Sequence, residues 1–260
     1  MELGLKDRVY LVAASSKGLG FGTARALAAD GAKVSMCSRN SDDIENAAAR
    51  LNDEFGAQTI ATACDVTQSE DIQKWVDVTV ERWGRVDGLL VNAGGPPAAY
   101  FKELTDEQWH DAFELTLLSA IRMIRMAIPH MSEGGAIVTI TSSSIKEPIE
   151  RLGLSTVMRA GIAGLVKTLA DELAGDNIRV NNLIPGRIDT DRVATLDRGV
   201  AKRLNITPQE ARQRSLSKIP AGRLGTIDEF GRVGAFLLSP AAAYITGATV
   251  RVDGGQMRSI

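Results

Sequence analysis

The chain has 260 residues, of which 44% are hydrophobic and 24% charged, as in a soluble α/β domain with a buried core. Its formal net charge of -2 gives no indication of a nucleic acid or an anionic membrane as partner. Two cysteines and two histidines that form no cluster predict no metal site.

Targeting features point to the cytoplasm. No apolar run approaches the roughly 18 residues that span a bilayer. The first residues, Met1–Asp7, lack the basic and then apolar pattern of a secretion signal. We therefore expect a cytoplasmic protein without a membrane partner.

Short apolar runs alternate with helix-like segments along the chain. The runs are rich in Val, Ile and Leu, as strands buried on both faces are; they are Val9–Ala14, Lys33–Cys37, Thr59–Cys64, Gly88–Asn92, Ala136–Thr141, Ile178–Ile184 and Ala248–Val252. Helical patterns begin near Ser41 and Ser69, and longer ones cover Thr105–Met131 and Leu152–Ala174. This alternation predicts one α/β domain over 1–260, a Rossmann-like, doubly wound parallel sheet of about seven strands with helices on both faces.

A glycine-rich turn follows the first apolar run and opens a helical pattern. A strand, glycine turn and helix in this order direct backbone N–H groups and a helix N-terminus at a phosphate. The pattern predicts a dinucleotide site, although a purely structural turn is the alternative. The residues expected to contact the nucleotide here are Ala14, Ser16, Lys17, Gly18, Leu19 and Gly20.

The residue at the end of the second apolar run indicates whether NAD(H) or NADP(H) binds. A carboxylate there would bind the ribose 2′-hydroxyl of NAD(H), whereas a basic residue suits the 2′-phosphate of NADP(H). Ser38 and Arg39 stand at this position and no carboxylate does. The sequence therefore favours NADP(H) over NAD(H), the alternative being that Arg39 is a solvated surface charge.

A polar segment at 187–218 interrupts the alternation of strands and helices. It follows the sixth run and contains a short helical pattern from Pro208. Its position, where ligands bind in open α/β sheets, predicts a lid over a small-molecule substrate. Its arginines either favour an acidic substrate or are solvated; they include Arg187, Arg192, Arg198 and Arg203.

The order of these motifs resembles the short-chain dehydrogenase/reductase family over nearly the whole chain, and most of all its bacterial and archaeal 3-oxoacyl-carrier-protein-reductase-like members. Ala13–Gly20 resembles the family's glycine turn, with Ala14 where the family has glycine. Cys64-Asp65-Val66 resembles the segment that touches adenine. Asn92-Ala93-Gly94-Gly95 resembles the motif that supports the central strand beside the cofactor. Arg179–Gly186, followed by Ile188 and Thr190, resembles the strand and turn that meet the nicotinamide. Val252–Gly255 resembles the family's C-terminal turn. The cofactor contacts that the resemblance implies are Asp65, Val66, Asn92, Ala93, Gly94, Pro185, Gly186, Ile188 and Thr190.

The family's carbonyl reductases resemble one another in a tetrad of Asn, Ser, Tyr and Lys. The Tyr transfers the proton, and the Lys lowers the pKa of the Tyr and holds the nicotinamide ribose. Alignment on the residues after the Lys places Thr116, Ser142, Ser155 and Arg159 at the four positions. The resemblance thus implies catalytic roles for Ser142, Ser155 and Arg159, with Arg159 also positioning the cofactor.

With Ser155 and Arg159 in place of Tyr and Lys, the sequence does not identify the proton donor. An aliphatic hydroxyl is a much poorer proton donor than a phenol, whose pKa is about 10. The candidates are Tyr100, Lys146, Glu147, Glu150 and a water held by Ser142 and Arg159.

Two functions are compatible with this pattern. One is an NADP-dependent oxidoreductase that acts on an alcohol/carbonyl pair through an atypical site. The other is a catalytically inactive relative that binds the nucleotide in a regulatory or assembly role.

The two long helical segments correspond to the helices that pair subunits in family tetramers. Their apolar positions exceed what one sheet face needs; among them are Leu115, Leu118, Ile121, Leu165 and Leu169. We expect a homodimer or homotetramer.

Overall fold

The computed structural model describes residues 2–259. Its strands are β1 Val9–Val12, β2 Lys33–Ser38, β3 Thr59–Ala63, β4 Gly88–Val91, β5 Gly135–Ile140, β6 Ile178–Pro185 and β7 Thr249–Val252. Its α-helices are α1 Gly18–Ala29, α2 Ser41–Phe55, α3 Ser69–Trp83, α4 Asp106–Ala112, α5 Ser119–Ala127, α6 Gly153–Glu172, α7 Asp191–Leu204, α8 Pro208–Leu216 and α9 Ile227–Leu238.

Over the described residues the strands form one seven-stranded sheet in the order β3-β2-β1-β4-β5-β6-β7, and every neighbouring pair is parallel. The doubly wound α/β fold predicted from the alternating runs is confirmed. The strand order reverses between β1 and β4, the position at which such sheets bind their ligands.

Helices cover both faces of the sheet. One buried layer contains Phe21 of α1, Ile44 of α2 and Phe230 of α9. The opposite layer contains Trp75 of α3 and Met123 of α5, together with residues of α6. Because both faces are covered, the central strands are apolar along their whole length, which is why they read as continuous hydrophobic runs. No helix within residues 2–259 combines the length and the apolar character needed to cross a bilayer.

The helical pattern over 105–131 is not one continuous helix. α4 passes into a π-helical turn, Phe113–Leu118, and then into α5. The turn packs against α6 at Gly161, where a Cβ would lie 3.1 Å from Cδ2 of Leu117. π-turns inside helices occur frequently at functional sites, and this one contains Thr116.

The polar segment after β6 folds as two helices. α8 begins at Pro208, where the sequence pattern predicts a helix, and α7 was not anticipated. Each helix starts with a threonine cap: Thr190 accepts from Val193 N at 3.4 Å and Thr207 from Glu210 N at 3.2 Å.

Candidate active site

The sequence-predicted site residues follow the carboxyl ends of the parallel strands. Because these ends lie at one edge of the sheet, the segments after the strands are neighbours in space. The segments are Ala13–Gly20 after β1, Arg39 after β2, Asp65 and Val66 after β3, Asn92–Gly94 after β4, Ser142 after β5 and Gly186 after β6.

The glycine turn between β1 and α1 leaves the first turn of the helix open. Lys17 is the N-cap, yet no side chain caps the helix, and no acidic residue lies in its first turn. Gly18 has φ +63°, and a Cβ at Gly20 would lie 2.4 Å from the carbonyl oxygen of Ala14. Ser16 and Leu19 are half-buried in the same turn. This is the geometry by which helix N-termini bind phosphate.

Ala14 adopts the left-handed region with φ +48°. An L-residue with a side chain is strained there, and glycine is not. The alanine at the position where the family has glycine therefore costs stability but leaves the turn in place. Nδ2 of Asn92 donates to the carbonyl oxygens of Ala13 at 3.4 Å and Ala14 at 3.3 Å, which ties the end of β4 to the turn.

Lys17 points towards the polar segment after β6. Its Nζ lies 2.9 Å from Oδ2 of Asp191, the first residue of α7, and both side chains are largely exposed. The interaction raises the pKa of Lys17 and lowers that of Asp191. The glycine turn and the polar segment are thereby joined.

The ends of β2 and β3 lie beside the turn. Ser38 donates from Oγ to the carbonyl of Asn40 at 3.1 Å, and Arg39 is exposed with no acidic partner among residues 2–259. Oδ1 of Asp65 accepts from the backbone N–H of Thr67 at 3.0 Å, and Val66 is buried. Arg39 is thus available to an external anion.

The end of β6 leads into α7. N–H of Gly186 donates to the carbonyl of Val252 at 2.9 Å, so the Pro185-Gly186 turn is fixed to the end of β7. Ile188 is buried and bridges to Gly225. Thr190, the cap of α7, lies near the glycine turn, since a Cβ at Gly18 would be 3.8 Å from its Cγ2.

Ser155 and Arg159 form a buried pair on one face of α6. Arg159 donates from Nε to Oγ of Ser155 at 3.2 Å and from Nη1 to the carbonyl oxygen of Ile140 at 2.7 Å. The second bond ties α6 to the end of β5, two residues before Ser142. The Oγ of Ser142 accepts from Ser144 N at 3.1 Å. Neither serine hydroxyl donates to an acceptor within residues 2–259, so both can donate to a ligand oxygen.

The guanidinium of Arg159 is buried without a carboxylate partner in the described part of the chain. Burial, and then the charge of Arg192, lower its pKa to about 10. Arg192 reaches from α7 over Gly95, where a Cβ would lie 3.0 Å from its Nη2, and it donates to the carbonyl of Pro96 at 3.2 Å. The site therefore carries positive charge that the described residues do not neutralise.

Arg192 is a site residue that the sequence analysis did not single out. It appeared there only as one of several arginines in a polar segment. The Gly94-Gly95-Pro96 sequence after β4 signals a backbone that something approaches closely, but it does not say which side chain does so.

The three tyrosines of the chain are Tyr10, Tyr100 and Tyr244. Tyr10 is fully buried near Asp87, and burial raises its pKa. Tyr244 is fully exposed. The hydroxyl of Tyr100 donates to Glu150, which raises the pKa of Tyr100. None of them hydrogen-bonds to the Ser155–Arg159 pair.

The remaining proton-donor candidates lie in the loop after β5. Glu147 accepts from the backbone N–H groups of Arg258 at 2.8 Å and Ser259 at 2.7 Å, so it holds the C-terminal segment. Glu150 binds Tyr100 and lies 3.6 Å from Arg203. Lys146 is exposed. The hydroxyls of Thr116 and Ser144 are buried without a partner in the described chain, as polar groups that bind water are.

Comparison with known proteins identifies the family to which this chain belongs. The chain matches the family model described as enoyl-(acyl carrier protein) reductase over residues 13–257. Dehydrogenase/reductase SDR family member 4 of Oryctolagus cuniculus is 35% identical over 254 residues, which are 96% of this chain and 94% of that protein.

Solved structures agree with this match. L-sorbose reductase from Gluconobacter frateurii, in complex with NADPH and L-sorbose, superposes with a TM-score of 0.95 at 30% identity, with 100% of both chains covered. An actinorhodin polyketide ketoreductase variant with NADPH superposes with a TM-score of 0.93 at 30% identity over 97% of this chain and 98% of that one. On its sequence and its fold, the chain belongs to the short-chain dehydrogenase/reductase family of oxidoreductases.

Proposed function

We propose that this protein is an NADP(H)-dependent oxidoreductase that interconverts a small-molecule carbonyl compound and its alcohol. The observation that carries the proposal is the Ser155–Arg159 pair. It places a buried cation and a hydroxyl at the carboxyl edge of the sheet, where β5 and the glycine turn end. Stabilisation of developing negative charge on oxygen by such fixed donors is a major contribution to carbonyl chemistry.

The residues of the glycine turn fit a dinucleotide. No side chain caps the first turn of α1, and no acidic residue lies in it. The lack of a side chain at Gly20 lets the backbone pass close to Ala14. Both features favour binding of a pyrophosphate. Asp65, Val66 and Ala93 would border the adenosine half. Arg159, Pro185 and Gly186 would border the nicotinamide half.

NADP(H) is preferred over NAD(H) in this proposal. Arg39 follows Ser38 at the end of β2, is exposed, and has no acidic partner among residues 2–259. Two of the similar structures contain NADPH. An arginine fork binds a phosphate through charge-assisted, bidentate hydrogen bonds, whereas a neutral 2′-hydroxyl offers it only a weaker single hydrogen bond.

Bound NADPH would supply a hydride to the carbonyl carbon. As the carbonyl π electrons move onto oxygen, Arg159 and the hydroxyls of Ser142 and Ser155 stabilise the negative charge. A proton from solvent then completes the alcohol, through a water held by Ser142 and Arg159. In this scheme Arg159 stabilises the negative charge on the substrate oxygen, and Ser155 orients that oxygen. A tyrosine is not needed, because the proton comes from solvent.

The segment at 187–218 acts as a lid in this proposal. Its attachment to the glycine turn runs through Lys17 and Asp191, and its attachment to the loop after β4 runs through Arg192 and Pro96. Both contacts join the segment to loops that follow the carboxyl ends of strands, β1 in one case and β4 in the other. A third contact joins Arg203 to Glu150 at 3.6 Å. Opening the lid breaks two exposed ion pairs of little strength and one hydrogen bond, each of which is a small cost.

A second candidate function is nucleotide binding without turnover, in a regulatory or assembly role. The absence of a phenol beside Arg159 favours it. Steady-state oxidation of NADPH against a panel of ketones, keto esters and keto sugars separates the two. We expect turnover with at least one of these classes. Saturable NADPH binding without turnover of any panel member would assign the second function.

A further inference from the structure

Two guanidinium groups flank the place where the reacting oxygen is expected. One is Arg159, buried on α6, and the other is Arg192, which reaches in from α7. Arg159 is bonded to Ile140 at the end of β5, and Arg192 to Pro96 in the loop after the neighbouring strand β4, so both lie at adjacent segments of one sheet edge. The charge of Arg192 helps to lower the pKa of Arg159, in agreement with this placement. Two like charges beside each other are unfavourable unless an anion joins them.

The other arginines of α7 and the residues before it have partners elsewhere. Arg187 pairs with Asp197, Arg203 lies 3.6 Å from Glu150, and Arg198 donates to Oγ1 of Thr195 at 2.8 Å. Arg192 differs from Arg187 and Arg203 because it has no carboxylate partner in the described chain. It differs from Arg198 in position, since it donates to the carbonyl of Pro96 in the loop after β4. A guanidinium held only by a neutral acceptor keeps most of its donors free for a stronger acceptor.

We propose that the substrate carries a carboxylate close to its reacting carbonyl or hydroxyl group, and that Arg192 binds this carboxylate while Arg159 faces the reacting oxygen. This inference rests on the proposed function and adds the substrate class to it. A carboxylate matches the planar fork of arginine with two parallel hydrogen bonds. A 2-oxo acid and its 2-hydroxy acid are the simplest compounds that meet this requirement.

Arg192 also links substrate binding to the lid. On binding, the carboxylate replaces the carbonyl of Pro96 as the partner of Nη2. The charged acceptor gives a stronger hydrogen bond than the neutral one. An acidic substrate would therefore hold α7 over the site more firmly than a neutral substrate does.

The test compares 2-oxo acids with their methyl esters in NADPH oxidation, using wild-type protein, Arg192→Ala and Arg198→Ala. Arg198 is the matched control, since it is an exposed arginine on another face of the same helix. We expect wild-type kcat/KM to be at least tenfold higher for the acid than for the ester. Arg192→Ala should remove this preference through a higher KM for the acid, and Arg198→Ala should retain it. Equal kcat/KM for acid and ester in the wild type would overturn the proposal.

A binding measurement makes the test independent of turnover. Oxalate, a non-reducible mimic with adjacent carboxylates, is titrated calorimetrically into the protein alone and into its mixture with NADP+. We expect Arg192→Ala to raise the Kd for oxalate at least fivefold and Arg198→Ala to leave it unchanged. Equal effects of the two variants, or no oxalate binding to either form, would refute the carboxylate site. Absence of NADP+ binding would count against the proposed function alone.

Discussion

Arg159 donates from its Nε to the Oγ of Ser155 at 3.2 Å, one helical turn away on α6. Neither residue meets a carboxylate in the described chain, although both are more than nine-tenths buried. A buried charge without an opposite charge destabilises a fold. The buried charge at this position is the basis for the proposed role of Arg159 in the active site.

The first prediction concerns replacement of this charge by an apolar side chain of similar length. Arg159→Met should raise the free energy of unfolding by roughly 1–2 kcal/mol, because the desolvated cation is removed. It should also lower kcat at least 100-fold, since the proposed function makes Arg159 a principal donor to the oxyanion. Urea denaturation and NADPH oxidation measure the two effects. Arg159→Lys, which keeps the charge, is the control and should retain more activity than Arg159→Met.

The second prediction is a pH dependence of that stability difference. Burial lowers the pKa of Arg159 from its ordinary value to about 10, so above pH 10 the unfolded chain holds this proton more firmly than the folded protein does. The contribution of Arg159 to the unfolding free energy is therefore unfavourable below its folded pKa and improves as the pH rises above it.

Urea unfolding of wild type and Arg159→Met at about pH 8 and about pH 11 checks this sign. The advantage of Arg159→Met should shrink at the higher pH. Tyr10, whose pKa burial raises, acts in the opposite direction but is present in both proteins and cancels in the difference. An advantage that grows with pH would contradict the assigned cause.

The third prediction concerns the glycine turn. Ala14→Gly should raise the free energy of unfolding by about 1 kcal/mol, because it relieves the positive φ of +48°. It should leave NADPH affinity unchanged. Gly20→Ala should weaken NADPH binding at least tenfold, since the new Cβ would lie 2.4 Å from the carbonyl oxygen of Ala14. Gly175→Ala, where a Cβ meets nothing within 4 Å, is the control in thermal denaturation and calorimetry.

The fourth prediction concerns association. α6 exposes Val157, and a Cβ at Gly164 on the same helix meets nothing within 4 Å of its own protomer. If this face pairs subunits, Gly164→Arg should convert the expected dimer or tetramer into a smaller species without loss of helix content. Gly199→Arg on α7, which is equally unobstructed, should leave the assembly intact. Light scattering that gives a wild-type monomer would show the expectation to be wrong.

The strands and the parallel, doubly wound character of the sheet could be predicted, because the alternation of apolar runs and helical patterns is a local signal. Val9–Val12 and Gly88–Val91 are buried along their whole length and contain no charged residue, so each appears in the sequence as a short apolar run. The location of the polar residues after the strands could be predicted as well, because parallel strands have their carboxyl ends at one edge of the sheet.

The features that the sequence did not predict depend on contacts between distant parts of the chain. The hydrogen bond from Arg192 to the carbonyl of Pro96 joins residues 96 positions apart, and no local pattern specifies it. The π-turn at Phe113–Leu118 forms where the helix packs against Gly161 of α6. The sign of φ at Ala14 was likewise open in the sequence, because it depends on how β1, Asn92 and α1 meet.

The most direct test of the proposed nucleotide site is calorimetric titration of the folded protein with NADPH and with NADH, in wild type and in Arg39→Ala. We expect saturable binding of NADPH at least tenfold tighter than that of NADH, and we expect Arg39→Ala to abolish the difference without weakening NADH. Absence of saturable binding of either nucleotide to folded protein would contradict the assignment of the glycine turn.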